Sequence, residues 1–220
     1  MSLGTILLFL TGLLLLFGVG QRVLDRMRLT DRQALLFVAL ILAGGFVPDI
    51  PVGRSFAFNL GGALIPLALC VWLFFKADSV AERVRSVVAS LLTGTVVFLL
   101  GRLLPDEPES MRIDPNYAYG IAAGIVACLL GRSRRCAFIA GIVGVMLANV
   151  AAWLYVRSMG VTQRLVLGGA GGYDVIVLSG FLAVLLSELV GETVERIRRG
   201  RRRPTREYKD GNFIRREADR

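Results

Sequence analysis

The sequence predicts an all-α, polytopic membrane protein of about seven transmembrane helices, with its N-terminus outside and its C-terminus in the cytoplasm. Two observations carry that prediction. The 220 residues are 55% hydrophobic with a mean hydropathy of +0.62, more apolar than a soluble domain of this size can bury. The apolar residues also fall in long runs separated by short charged segments. A bilayer core of about 30 Å asks for roughly 20 such residues per helix.

The runs place spans at about 3–20, 30–47, 56–75, 86–104, 117–131, 136–156 and 165–190. The first run has no cation ahead of it, and Arg22 follows it. A secretory signal peptide is positive before its apolar stretch, so this run is expected to stay as a span. Thr30-Asp31 reads as the start of the second span, and Pro48 as its end after Gly44-Gly45. Trp72 near the inner end of the third span, and Trp153 with Tyr155 near the outer end of the sixth, suit the interfacial aromatic belt.

Orientation follows from the cations. Loop 21–29 carries Arg22, Arg26 and Arg28, loop 76–85 carries Lys76, Arg83 and Arg85, and the turn 132–135 reads Arg-Ser-Arg-Arg. With the tail after Gly191 these alternate connections hold most of the 26 basic residues, and the positive-inside rule puts them in the cytoplasm. The chain therefore divides into a helical membrane domain, 1–190, and a basic cytoplasmic tail, 191–220. A net charge of +9 would point to nucleic acid in a soluble protein. Here the charge sits in loops and tail, so no nucleic-acid partner is expected. Arg198 to Arg206 can dock on anionic lipid. The localisation implied is a prokaryotic cell membrane, multi-pass.

Several chemistries are excluded. The chain has no histidine, which removes serine–histidine hydrolysis, the His-Glu-x-x-His zinc site and histidine-ligated haem. Its lysines, Lys76 and Lys209, lie in a loop and in the tail, so no span offers a Schiff-base lysine. No Walker loop is present. Cys70, Cys128 and Cys136 are odd in number and lack metal spacing, so buried thiols are expected and no metal or other cofactor.

Two outer segments break the apolar pattern. Residues 48–62 carry Asp49, Asn59 and two prolines among apolar residues, like a loop dipping into the outer leaflet. Residues 168–174 read Gly-Gly-Ala-Gly-Gly-Tyr-Asp, a poor helix former whose backbone needs protein or water partners at membrane depth. Ionisable residues inside spans are functional candidates by default, and Asp174 is expected about nine residues inside the seventh span. Asn149 interrupts the sixth span at a similar depth, and Asp114 lies in the acidic outer loop with Asp106, Glu107 and Glu109.

Gly169-Ala170-Gly171, followed by Tyr173-Asp174, resembles the Gly-x-Gly-Asp signature of intramembrane aspartyl proteases such as presenilins and signal peptide peptidases. The resemblance covers about two spans and implies Asp174 as one catalytic carboxylate, with Gly169, Gly171 and Tyr173 around a transmembrane peptide substrate. Two residues stand between Gly171 and the aspartate, and the expected partner position is the amide Asn149. An aspartate replaced there by asparagine, or Asp49 or Asp114 as the second carboxylate, would complete a proton-sharing pair. The chain more broadly resembles a family of prokaryotic membrane proteins of unknown function. That likeness rests on Asp49-Ile50-Pro51, Asn59 to Pro66, Tyr117 to Ile121, Gly131 to Arg135 and the Gly168–Asp174 run. Three functions stand open: a membrane aspartyl hydrolase opening to the outer face, a small-solute or ion transporter using Asp49, Asn59, Asn149 and Asp174, and a non-catalytic membrane scaffold.

Overall fold

The computed structural model describes residues 30–103, 115–131, 133–170, 174–201, 206–209 and 212–215. The expected first span, the loop 21–29 and the acidic loop around Asp114 lie outside them. The described residues are mostly helical, as the composition implied, with five short strands added. They divide into two units, Met1–Ser187 and Glu188–Arg220.

The first helix, α1 (Asp31–Gly45), starts where its cap predicts. Thr30 Oγ1 accepts from the Gln33 N–H while the Gln33 side chain accepts from the Thr30 N–H, a reciprocal capping box. Strands β1 (Ile50–Pro51) and β2 (Phe56–Phe58) follow as an antiparallel pair. Next come a five-residue π-helical turn, Leu60–Leu64, and α2 (Ile65–Phe75). The expected third span, 56–75, is therefore not one helix. Its first residues are strand, and its helical part is widened just before Pro66. Proline has no N–H to donate and its ring crowds the carbonyl one turn back, so a wider turn there relieves the crowding.

Helices α3 (Val80–Leu103), α4 (Pro115–Gly131) and α5 (Arg134–Ser158) form the centre. Only α3 and α5, among the described residues, are long and apolar enough to cross a membrane by length and composition. The other apolar helical stretches run 10–17 residues. The most enclosed helix is α5, buried almost continuously from Arg135 to Ala148. Small residues let its neighbours close on it: a Cβ on Gly144 would stand 2.8 Å from Thr93 Cβ of α3, and Ser179 Oγ donates to Gly141 O at 3.0 Å. Close backbone approach of this kind is how membrane helices gain packing when lipid removes the hydrophobic drive between them.

Strand β3 (Leu165–Leu167) then runs parallel to β2, giving a three-stranded sheet in the order β1-β2-β3. Helix α6 (Val175–Arg201) comes after a turn at Gly168–Ala170. The seventh apolar run, expected as a helix from 165, is thus strand at 165–167 and turn at 168–170, and its helix starts at Val175. Glycines supply no helical preference there, and the β-sheet partner at 56–58 takes up the backbone groups instead.

The second unit holds the end of α6 and an antiparallel pair, β4 (Arg206–Lys209) and β5 (Asn212–Arg215). The sequence between those strands is Asp210-Gly211, a strong hairpin signal. No hairpin was expected in the tail.

Candidate functional site

Asp49 and Asn59 of segment 48–62 and Asp174 of segment 168–174 gather around the small sheet. Asn59 is its centre and is only 3% exposed. Its Oδ1 accepts from the N–H groups of Gly61 and Gly62, both at 3.0 Å, capping the π-turn. Its Nδ2 donates to Val47 O at 3.3 Å and to Asp49 Oδ1 at 3.1 Å. The Asn59 backbone N–H donates to Leu167 O at 2.9 Å, and its carbonyl accepts from Ala63 and Leu64. Both side-chain donors and the amide oxygen are occupied, so Asn59 is a structural centre with little capacity left for a ligand.

Two glycines allow this crossing of chains. A Cβ on Gly61 would overlap Gly45 N and Ile41 O of α1. Gly168 has φ +74°, and a Cβ there would overlap the backbone of Gly62. The start of α2 and the turn before α6 therefore touch backbone to backbone. Aromatic rings close the outside: Phe56 meets Phe58 at 4.9 Å and Trp153 at 5.8 Å between centroids. Trp153 also donates its indole N–H to Gln163 O, an amphipathic role that suits an interface.

Asp174 stands immediately before α6. Its Oδ1 accepts from the Ile176 N–H at 3.0 Å and its Oδ2 from the Ala170 N–H at 3.3 Å. It is a helix N-cap, so the expected depth of nine residues within a helix is corrected: the helix begins one residue after it. Asp49 is half-buried and bonded to Asn59. Neither aspartate has an arginine or lysine partner among the described residues. Asn149 is half-buried on α5, and no hydrogen bond joins it to Asp174. Gly169 is exposed beside Val166. Tyr173, Gly171 and Asp114 lie outside the described residues.

The structure therefore joins Asp49 to Asn59 directly. It brings the Asp174 turn to the same sheet through Gly168 and Leu167. Among the described residues no second carboxylate is hydrogen-bonded to Asp174. What Asp49 and Asp174 offer chemically is carboxylate oxygen: Asp49 is held by the Asn59 amide, and Asn59 and Asp174 already cap the N–H groups at the two helical starts. An anion would find those donors taken. A cation would find carboxylate lone pairs.

A second polar cluster lies at the other end of α5, and the sequence reading treated its arginines as topology signals only. Arg135 is 7% exposed. Its Nη1 donates to Lys76 O at 2.8 Å, and its Nη2 pairs with Asp78 and, at 3.4 Å, with Glu82. Ser133 caps α5 by accepting from the Cys136 N–H and donates its hydroxyl to Glu82 at 2.8 Å. The signal was present as Ser79-Val-Ala-Glu82, a capping box in which Ser79 Oγ accepts from Glu82 N and Glu82 Oε2 accepts from Asp78 N. Among the described residues no group of three metal-ligating side chains forms.

No curated protein and no solved structure matches the chain. The pattern of the family described as Protein of unknown function (DUF1614) matches residues 23–186, most of the chain and all of the sheet and both polar clusters, and the protein belongs to that family.

Proposed function

We propose that the chain is a multi-pass membrane protein, N-terminus outside, that binds a small cation at the Asp49–Asn59–Asp174 sheet and carries it, alone or with a solute, across the bilayer. The carrying observation is two partly buried carboxylates without cation partners among the described residues, held where α2 and α6 both begin after a strand. Helices interrupted at membrane depth, with ionisable groups at the break, are the usual frame of ion and solute sites in transporters. The alternation of basic loops supports the orientation, and the apolar helices support the bilayer as surroundings.

The aspartyl hydrolase is the second reading. What favours it is the attachment of Asp49 to the sheet that also receives the Asp174 turn, which makes Asp49, rather than Asn149, the partner carboxylate it requires.

The test is flux of sodium ions and protons into liposomes holding the full chain, compared with Asp49→Asn, Asp174→Asn and Asp174→Ala. Asparagine is as good an N-cap as aspartate, so Asp174→Asn removes charge and keeps the cap. Transport reads out as a drop of about tenfold or more in both asparagine variants, with Tm held within a few degrees. Background flux in the unaltered protein, or full flux in both asparagine variants, sinks the proposal. Peptide cleavage that either asparagine variant abolishes would instead select the hydrolase.

A further inference from the structure

Beside the buried corner at Arg135 lies a cavity of about 320 Å³, open along its length, between α2, α3 and α5. Leu67, Val71 and Phe74 line it from α2, Val87 and Leu91 from α3, and Val143 and Leu147 from α5. Its polar atoms are withdrawn: Ser86 and Ser90 lie in the wall, but their hydroxyls donate to Arg83 O and Ser86 O of their own helix, each at 2.7 Å. The rim is exposed and apolar, with Val71 at 48%, Phe75 at 69% and Leu91 at 55%. An occupant must therefore be apolar along the slot.

The end of the slot is different. There α2 stops at Lys76, and Arg83 lies on the same face of α3 as Ser86, Val87 and Ser90, by helical spacing. Arg83 Nη2 donates to Phe75 O at 3.3 Å, and its Nε is buried without a partner. Lys76 rests over the Trp72 ring at 5.5 Å. Asp78 and Glu82 both turn to Arg135, and neither forms an ion pair with Arg83 among the described residues. Arg83 thus stands at the slot's end with no carboxylate partner among the described residues, while Lys76, close in sequence, is turned onto the Trp72 ring.

We infer that this slot binds one anionic phospholipid, an acyl chain lying along Leu67–Phe74 and the phosphate on Arg83 at its end, with Lys76 adding positive charge nearby. The slot runs about 12 Å along α2 at ~1.5 Å per residue, the scale of part of one acyl chain. A second bilayer-spanning helix would seek contact along about 30 Å. Excess positive charge at the end favours a phosphate of net negative charge over a zwitterion. The inference rests on the reading of the chain as membrane-embedded and is independent of any transport at the sheet.

The experiment uses the full chain in mild detergent, exposed to equal phosphatidylglycerol and phosphatidylcholine of the same acyl length, with retained lipid weighed by native mass spectrometry. Retention of phosphatidylglycerol several-fold over phosphatidylcholine is expected. Combined Lys76→Gln and Arg83→Gln should abolish the preference. Leu91→Trp, which fills the slot, should lower retention of both lipids, while Val88→Trp on the neighbouring exposed surface should change neither. Equal retention of the two lipids, or a preference that survives the double glutamine variant, overturns the assignment; that variant decides the matter if Leu91→Trp does not fold. A dimer that Leu91→Trp dissociates while lipid retention stays unchanged would assign the slot to a second copy instead. Alkaline washing separates the two layers of the argument. A chain released from membranes fails the membrane reading, whereas one that stays and shows no lipid preference fails the slot alone.

Discussion

The two ends of α5 are both held by polar groups, and they are held in opposite ways. At the Arg135 end a buried guanidinium gathers Asp78, Glu82 and a carbonyl, so the connection is made by long side chains and charge. At the sheet end one amide gathers backbone N–H groups and a carboxylate, and the chains meet through glycine with no side chain between them. The first arrangement tolerates small shifts of backbone, because side chains can follow. The second does not, because overlap at Gly61 or Gly168 has no flexible atom to absorb it.

That contrast sets the order of expected effects. Gly168→Ala breaks the sheet end most severely: it puts a side chain at φ +74° and into the Gly62 backbone. A loss of roughly 3 kcal/mol or more is expected, read as a large fall in Tm in detergent or as failure to accumulate. Arg135→Met comes next. It leaves Glu82 and the Lys76 carbonyl short of their partner, and a loss of about 2–3 kcal/mol is expected. Arg135→Lys should recover only part of it, since a single ammonium cannot reproduce the fork. If Arg135→Met melts like the unaltered chain, the two ends do not differ as described.

Asn59→Asp sharpens the comparison at smaller cost. It keeps the oxygen that caps Gly61 and Gly62 and replaces the amide that donates to Asp49 by an acceptor. A loss of about 2 kcal/mol at neutral pH is expected. Two adjoining carboxylates raise one folded-state pKa, so the unfavourable term is present above that value. It fades as the pH falls and one proton is shared. Stability of Asn59→Asp should therefore recover toward pH 5, whereas Asn59→Ala should show no such recovery. Equal pH profiles for the two would mean that Asp49 does not face position 59 in solution.

Much of this was legible in the sequence, and the failures have physical causes. The helix start at Thr30-Asp31 and the choice of segments 48–62 and 168–174 as unusual follow from local rules, and the described residues of both bear them out. What hydropathy could not separate was helix from buried strand. Phe56-Ala57-Phe58 and Leu165-Val166-Leu167 are as apolar as the helices beside them, and their pairing is a contact between distant parts of the chain. The depth of Asp174 was misjudged for that reason: counting from 165 assumed a helix where the backbone is extended. Arg135 was missed differently. A cation in an Arg-Ser-Arg-Arg turn obeys the positive-inside rule whether it is solvated or buried, so charge counting has no means of singling out the one that is enclosed.

The parallel pairing of β2 with β3 also has a consequence for how the chain is made. Phe56 and Leu165 leave the ribosome roughly a hundred residues apart, and until the later strand emerges the earlier one has open hydrogen-bonding groups along one edge. Hydrocarbon would penalise such an edge by several kcal/mol for each unpaired group. In the membrane setting proposed above, the 50–58 segment would wait at the water-facing boundary until β3 is made. The sheet can close only after β3 has emerged, behind α3, α4 and α5 in the chain. A nascent chain halted before Leu165 exposes that unpaired edge, which gives quality-control proteases a physical mark separating unfinished copies from finished ones.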